Sequence, residues 1–555
     1  MSDHAFEFLE RKLRECKRKH VACRSTEEAR LPTRIVRVAL PGEPDDPDAR
    51  LRLVETDGRP GRYAALSHCW GDRRPFCTTR SNIQQMTAAI DERNLSPVFA
   101  DAVSVCRRLG IPYLWVDSLC IVQDDTADWE AESAKMADYY AHAFLTISAS
   151  SSPHGGISFL NGTRDSRWTP QDFVFGGEAG GPAVAVAMRR IPGDNWMAGG
   201  FEGEIDPLNS RAWAWQEALL SSRIASYGVA GLVWDCRTEC VSEDGADGQW
   251  LSDRVFSREL SSVETRAYIP AADRRLPQHK KGTGSINVPV MPSRDDNLDG
   301  WRRLVEDFTR HRITVPTDRL PALSGVASRV QASLQTRYLA GLWECTLLRD
   351  MCWFQHPQLS MKSARDAPSR HSRRAPAAYI APSWSWASIG MPVTFMPPVQ
   401  DSDLELLEAY CHVPGHNPLG HVARGHLRVR GRIFTMTVRS DNPEPSSVYS
   451  IEADSSSVRW DYTTPYMDST MVANGATLRR ATKDDVLQFP LRGQAFYLFL
   501  GTTSKKNFAP TSLFHYGLLL GLVDATSETY CRLGLLEGLD DHRMNFAEKR
   551  TITIV

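Results

Sequence analysis

Residues 63–152 constrain the fold most, because strand-like and helix-like patterns alternate through them. Residues 63–67 (YAALS) are apolar without a polar face, as a strand covered on both sides requires. Ser96-Pro97 then supplies a helix N-cap and a first-turn proline, and Ala102, Val105, Cys106 and Leu109 form one helical stripe that Gly110 ends. Residues 111–116 (IPYLWV) are apolar on both faces and stop at Asp117. A second helix is predicted over residues 126–142 and a third strand over 144–149 (FLTISA). Strand, helix, strand, helix, strand is the pattern of a parallel α/β sheet.

Around this block the reading is coarser. Phe6, Leu9 and Leu13 predict a leading amphipathic helix whose basic run, Lys17 to His20, is its solvated face. Residues 35–38 and 51–54 read as a β-hairpin, 183–188, 224–227 and 232–236 as strands, and 211–220 (RAWAWQEALL) as a helix. Residues 240–300 are polar and read as an insertion, whereas helices are predicted near 301–312, 320–336 and 338–354. The basic stretch 362–378 reads as a solvated loop, and from about His426 alternating patterns predict a β-rich close. The expected organisation is an N-terminal helix and hairpin (1–60), an α/β domain (61–240), an insertion (241–300), a helical region (301–400) and a β-rich region (401–555).

Charge narrows the partners. The 65 basic and 67 acidic side chains nearly cancel, so no general field draws the molecule to nucleic acid or an anionic membrane. No run reaches the roughly 18 apolar residues of a membrane span, and the charged opening lacks the apolar core of a signal peptide, so a cytoplasmic protein is expected. The 12 cysteines are too sparse for a disulfide scaffold. Cys16, His20 and Cys23 offer three soft ligands, one short of a structural zinc site, so no metal is assigned.

Ligands of open parallel sheets bind outside the carboxyl ends of the strands. Here those ends deliver Ser67, His68, Trp70, Gly71 and Asp72 from the first strand, Asp117, Ser118 and Cys120 from the second, and Ser148, Ser150 and Ser151 from the third. An aromatic, a glycine and small hydroxyls there can stack a ring and hold phosphate, although Trp70 as core and the serines as caps fit the same pattern. On the helix after Asp125, Glu132 shares an apolar stripe with Trp129, Met136 and Tyr140. An inward carboxylate is either paired, with Arg211 a candidate, or lines a cleft. Asp117 invites the same choice between helix cap and ligand group. Cys120 has no basic neighbour in sequence to activate it as a nucleophile. Gln216 and Glu217, set among Trp213, Trp215, Leu219 and Leu220, are expected to hydrogen-bond across a domain seam. P-loop, dinucleotide-fold, zinc-protease and α/β-hydrolase motifs are absent from the sequence.

At these residues the sequence resembles the fungal heterokaryon incompatibility (HET) domain family. The first block is YAALSHCWG from Tyr63, with His68 where the family more often has tyrosine. The second runs from Phe99 to Ser150 and includes Asp117, Cys120, Gln123, Asp124, Glu132, Met136 and Tyr140; the third holds Arg211, Trp213, Gln216, Glu217 and Leu220. The resemblance implies a TIR-like parallel-sheet domain with an additional helical and β-rich C-terminal region, acting in self/non-self recognition and cell death through self-association. Some TIR domains cleave NAD with a glutamate, which makes NAD a candidate substrate. It places Glu132 and Asp117 as catalytic candidates, and Ser67, Trp70, Gly71, Asp72, Ser118, Cys120 and Trp129 around the ligand. Two alternatives stay open: a non-catalytic interaction module with Glu132 in an ion pair, and a small-metabolite enzyme using a pocket near Trp384 and Trp386.

Overall fold

The computed structural model describes residues 3–26, 29–42, 50–71, 76–161, 171–175, 184–188, 206–229, 231–243, 294–355, 379–396, 401–440, 450–451, 457–460, 491–504, 513–539, 544 and 547–555. The chain divides into two compact units, Met1–Met291 and Pro292–Val555. Asp72 and the loops expected at 362–378 and over most of 240–300 lie outside the described residues.

The first unit is built on one eight-stranded mixed sheet. Its strands are β1 (Arg34–Arg37), β2 (Arg52–Glu55), β3 (Tyr63–Ser67), β4 (Tyr113–Trp115), β5 (Leu145–Ser148), β6 (Arg223–Gly228), β7 (Gly231–Cys236) and β8 (Cys240–Ser242). They lie in the order β8-β7-β6-β5-β3-β4-β1-β2. β4, β3, β5 and β6 run parallel, while the strands flanking them on both sides are antiparallel. Every residue of β3 and β5 is buried, which is why both lack a polar face. The β1–β2 hairpin, expected ahead of the α/β domain, forms the margin of this same sheet.

The helices follow local signals. α1 (Asp3–Lys19) buries Phe8, Leu9, Leu13 and Cys16 and leaves Lys17, Arg18 and Lys19 exposed. α2 spans Ile83–Ala88. α3 (Pro97–Arg108) starts at Ser96, whose side chain accepts from Phe99 N–H. α4 (Asp117–Cys120) is one turn directly after β4. The single helix expected over 126–142 is two, α5 (Thr126–Ser133) and α6 (Met136–His142), with a break at Ala134 and Lys135. The shared stripe holds only in part: Glu132, Met136 and Tyr140 are buried, but Trp129 is 38% exposed. α7 spans Ala212–Leu220.

In the second unit, α8 (Arg294–Phe308) and α9 (Pro321–Leu334) precede a β-rich part. Of the helix expected over 338–354, only one turn forms, Leu347–Asp350. Ala340 and Gly341 adopt positive φ of 46° and 96°, turning Tyr338–Leu339 back on Leu342–Trp343, and Trp353–Gln355 is a strand. Trp384 and Trp386, expected to wall a pocket, are completely buried, with Trp386 Nε1 donating to Gly341 O at 2.9 Å. Strands β9 (Glu405–His412), β10 (Arg424–Ser440), β11 (Leu491–Ser504), β12 (Leu513–Asp524), β13 (Thr529–Leu539) and β14 (Glu548–Ile554) follow. Pairing runs β10-β11-β12-β13, and β14 joins β13 to β10, so the strands close into a ring. Among the described residues no helix is long and apolar enough to cross a membrane.

Candidate functional site

The parallel strands all point their carboxyl ends at the loops that carry the polar residues. β3 ends in Ser67 and leads to His68, Trp70 and Gly71; β4 leads into Asp117; β5 ends in Ser148. Trp70 Nε1 donates to Asp117 Oδ2 at 2.9 Å, which fixes the half-buried indole against the start of α4. Asp117 Oδ1 accepts from Ser118 N–H at 2.7 Å, so the carboxylate is held at the first residue of its turn while it holds Trp70. Its side chain stays 22% exposed, so the pair forms a mouth open to water.

Behind that mouth the site is buried. His68 Nδ1 lies 3.9 Å from Asp117 Oδ1, and its ring meets Phe99 edge-on at 5.2 Å. Burial, reinforced by Arg211, lowers its pKa against the pull of Asp117, so the imidazole is neutral at pH 7. Its buried Nε2 has no hydrogen-bond partner among the described residues, nor does Ser118 Oγ. Arg211 Nη1 donates to His68 O at 2.9 Å and ties the segment before α7 to the loop after β3.

Glu217, on α7, accepts a short hydrogen bond from Ser67 Oγ. This contact lies within the first unit, so Glu217 closes the sheet's own rim instead of the domain seam expected for it. Burial is the main cause of its pKa being pushed up to about 7; Asp117 adds to the rise, while Ser67, Arg211 and Tyr140 oppose it. Tyr140 OH donates to Leu66 O at 3.0 Å, completing the floor. Two carboxyl groups therefore share one field: one at the mouth, the other buried and able to hold a proton near neutrality.

Glu132 sits in a different set of partners. Its Oε2 accepts from Tyr139 OH at 2.7 Å and its Oε1 from Lys135 Nζ at 2.8 Å, which also bonds Thr33 Oγ1. Arg34 anchors the same helix by bonding Asp128 and Cys120 O. Lys135 thus replaces Arg211, the partner expected for Glu132. Arg211 is drawn instead to the loop after β3. Cys120 is completely buried, its thiol pushed up to about 12 chiefly by burial, which keeps it protonated. The serines form a buried hydroxyl chain, with Ser150 Oγ 2.8 Å from Ser148 Oγ and 2.7 Å from Ser226 Oγ.

The residues thus brought together are Ser67, His68, Trp70, Asp117, Tyr140, Arg211 and Glu217. By sequence Glu217 reads as a seam residue, because Trp213 and Trp215 flank it on the same helix. Its signal is a carboxylate one turn from the end of a helix that is apolar apart from Gln216, which burial forces to find a partner.

Fold and site together define an α/β domain whose polar groups converge at the carboxyl rim of a sheet with a parallel centre. Residues 63–217 match the family model described as "Heterokaryon incompatibility protein (HET)", a span that holds every residue of this rim, so the chain carries a HET domain. No curated protein and no solved structure matches the chain.

Proposed function

We propose that this is a heterokaryon-incompatibility signalling protein that works in the cytoplasm, drives cell death through association of HET domains, and uses the Trp70–Asp117 rim to bind and cleave NAD. The observation that carries the ligand site is the indole held by a partly exposed carboxylate, with the protonatable Glu217 behind it. The indole face suits a base or pyridinium ring. Asp117 can stabilise the oxocarbenium-like ribosyl centre as the N-glycosidic bond breaks. Water supplies the oxygen, so NAD and water give nicotinamide, ADP-ribose and one proton. This reading keeps the TIR-like chemistry and Asp117, and replaces Glu132 with Glu217. Glu132, paired with Lys135 and Tyr139, holds α5 and α6 in place.

The test is nicotinamide release by the purified chain. Asp117→Asn and Glu217→Gln should each cut the rate roughly a hundredfold, and Glu132→Gln should leave it within about twofold. The absence of turnover in the assembled protein removes the catalytic part. The second reading, a non-catalytic interaction module, draws on the carboxylates being satisfied internally, Asp117 by Trp70 and Ser118 and Glu217 by Ser67. It expects no turnover together with a death phenotype that survives Asp117→Asn.

A further inference from the structure

A second cluster lies apart from that rim and depends on no part of the reading above. Cys16 is in the last turn of α1, and two backbone bonds, His20 N to Cys16 O at 3.0 Å and Cys23 N to His20 O at 3.1 Å, curl the next residues back over it. Cys236, the last residue of β7, comes from more than 200 positions away and faces them, its Sγ 3.5 Å from His20 Nδ1. The four ligand atoms all lie within 4.8 Å of one another. The three cysteines are completely buried, and all are free thiols.

We propose that Cys16, His20, Cys23 and Cys236 bind one zinc ion in a tetrahedral Cys3His site that ties the N-terminal helix to the central sheet. The donor set is that of a structural zinc centre, in which all four positions are filled by protein. The spacing agrees: zinc about 2.3 Å from sulfur and about 2.0 Å from nitrogen, with tetrahedral angles, holds sulfur and nitrogen roughly 3.5 Å apart. The charge is met as well. Binding releases three thiol protons to water and leaves a complex of net charge minus one. The completely buried Arg223 lies against it, its Nε donating to Cys16 Sγ at 3.3 Å and its Nη2 to Cys23 O at 2.6 Å. A guanidinium in that position steadies thiolates as outer-shell donors do in metal sites. The fourth ligand is invisible to motif reading because it arrives through sheet pairing, from the strand that follows β6.

The test uses the full chain, expressed with zinc and purified under reductant, with metal measured by elemental analysis. One zinc per chain is expected, and Cys236→Ser and His20→Ala should weaken zinc retention against a chelator on the order of tenfold or more. Cys106→Ser, a buried cysteine outside the cluster, should retain full occupancy. Should Cys236→Ser fail to fold, Cys236→His answers the question. Loaded with cobalt, the wild type should show tetrahedral ligand-field bands and a thiolate-to-cobalt charge-transfer band, and Cys236→His should keep the first and lose about a third of the second, having two thiolates where there were three. Reduced, folded protein that takes up no zinc on titration overturns the site. So does Cys236→His with an unchanged charge-transfer band, or a thiol count showing a disulfide among the three cysteines.

Discussion

The indole of Trp70 donates to the carboxylate of Asp117 across 2.9 Å, joining the loop after β3 to the first residue of α4. The bond is charge-assisted but half open to water, so its contribution belongs at the low end for such bonds. Trp70→Phe keeps a ring and removes the donor, and should lower stability by about 1 to 2 kcal/mol in urea unfolding. Asp117→Asn keeps an acceptor and should cost less. An equal loss for the two would mean that charge, not the indole contact, is what matters at this position.

Glu217 makes stability depend on pH in an unusual direction. Its folded pKa, about 7, lies above the ordinary 4.5, so between those values the folded chain holds a proton that the unfolded chain has released. The stabilisation is complete below about pH 4.5 and is lost as pH rises toward 7, by on the order of 3 kcal/mol. His68 acts oppositely: its lowered pKa costs stability as pH falls below about 6.5. Comparing wild type with Glu217→Gln isolates the first effect. The variant, whose amide can still accept from Ser67, should gain relative stability from pH 5 to pH 8 when unfolding is measured in parallel. A constant difference across that range would place the Glu217 pKa near its ordinary value.

Glu132 is expected to be structural. Removing its side chain strips an acceptor from Tyr139, which keeps Thr33 Oγ1 at 3.1 Å, and from Lys135, which is exposed enough to be hydrated. Glu132→Ala should therefore cost about 1 to 3 kcal/mol, with Glu132→Gln recovering most of it through the Tyr139 bond. A fall in nicotinamide release for Glu132→Gln at unchanged melting temperature would return Glu132 to the catalytic role.

Much of this fold is legible in the sequence because burial on both faces leaves a mark. β3, β4 and β5 and the Ser96 cap of α3 fall where uninterrupted apolar runs and capping chemistry put them. The break between α5 and α6 leaves no such mark. Ala134 and Lys135 are good helix formers, and tertiary bonds from Thr33 and Tyr139 hold the chain there. The turn at Ala340 and Gly341 is masked by the apolar stretch around it, although glycine is the residue that positive φ favours. Of the site, Trp70 and Asp117 were legible as strand ends. Their bond to each other depends on the parallel pairing of β3 with β4, and the reach of Arg211 and Glu217 on how β6, paired with β5, brings α7 and the residue before it over the sheet, which no local pattern encodes.

Gly71 gives the sharpest test that the rim's shape matters. It has φ of +76°, and a Cβ built there would lie 2.4 Å from Cβ of His154, in a loop whose backbone is held by Val98 N donating to Gly155 O at 3.3 Å. Gly71→Ala must therefore accept left-handed backbone, about 1 to 2 kcal/mol, and push the 154–157 loop away as well. Gly156→Ala is the control: its φ is ordinary, and its Cβ would only press the His154 ring at 3.1 Å. With 5-fluorotryptophan incorporated and the Trp70 signal assigned through Trp70→Phe, Gly71→Ala should shift and broaden that resonance as the indole loses register with Asp117. Gly156→Ala should leave it nearly in place. Equal spectra for both variants would mean that the loop after β3 moves freely, and that the Trp70–Asp117 contact does not set the geometry of the mouth.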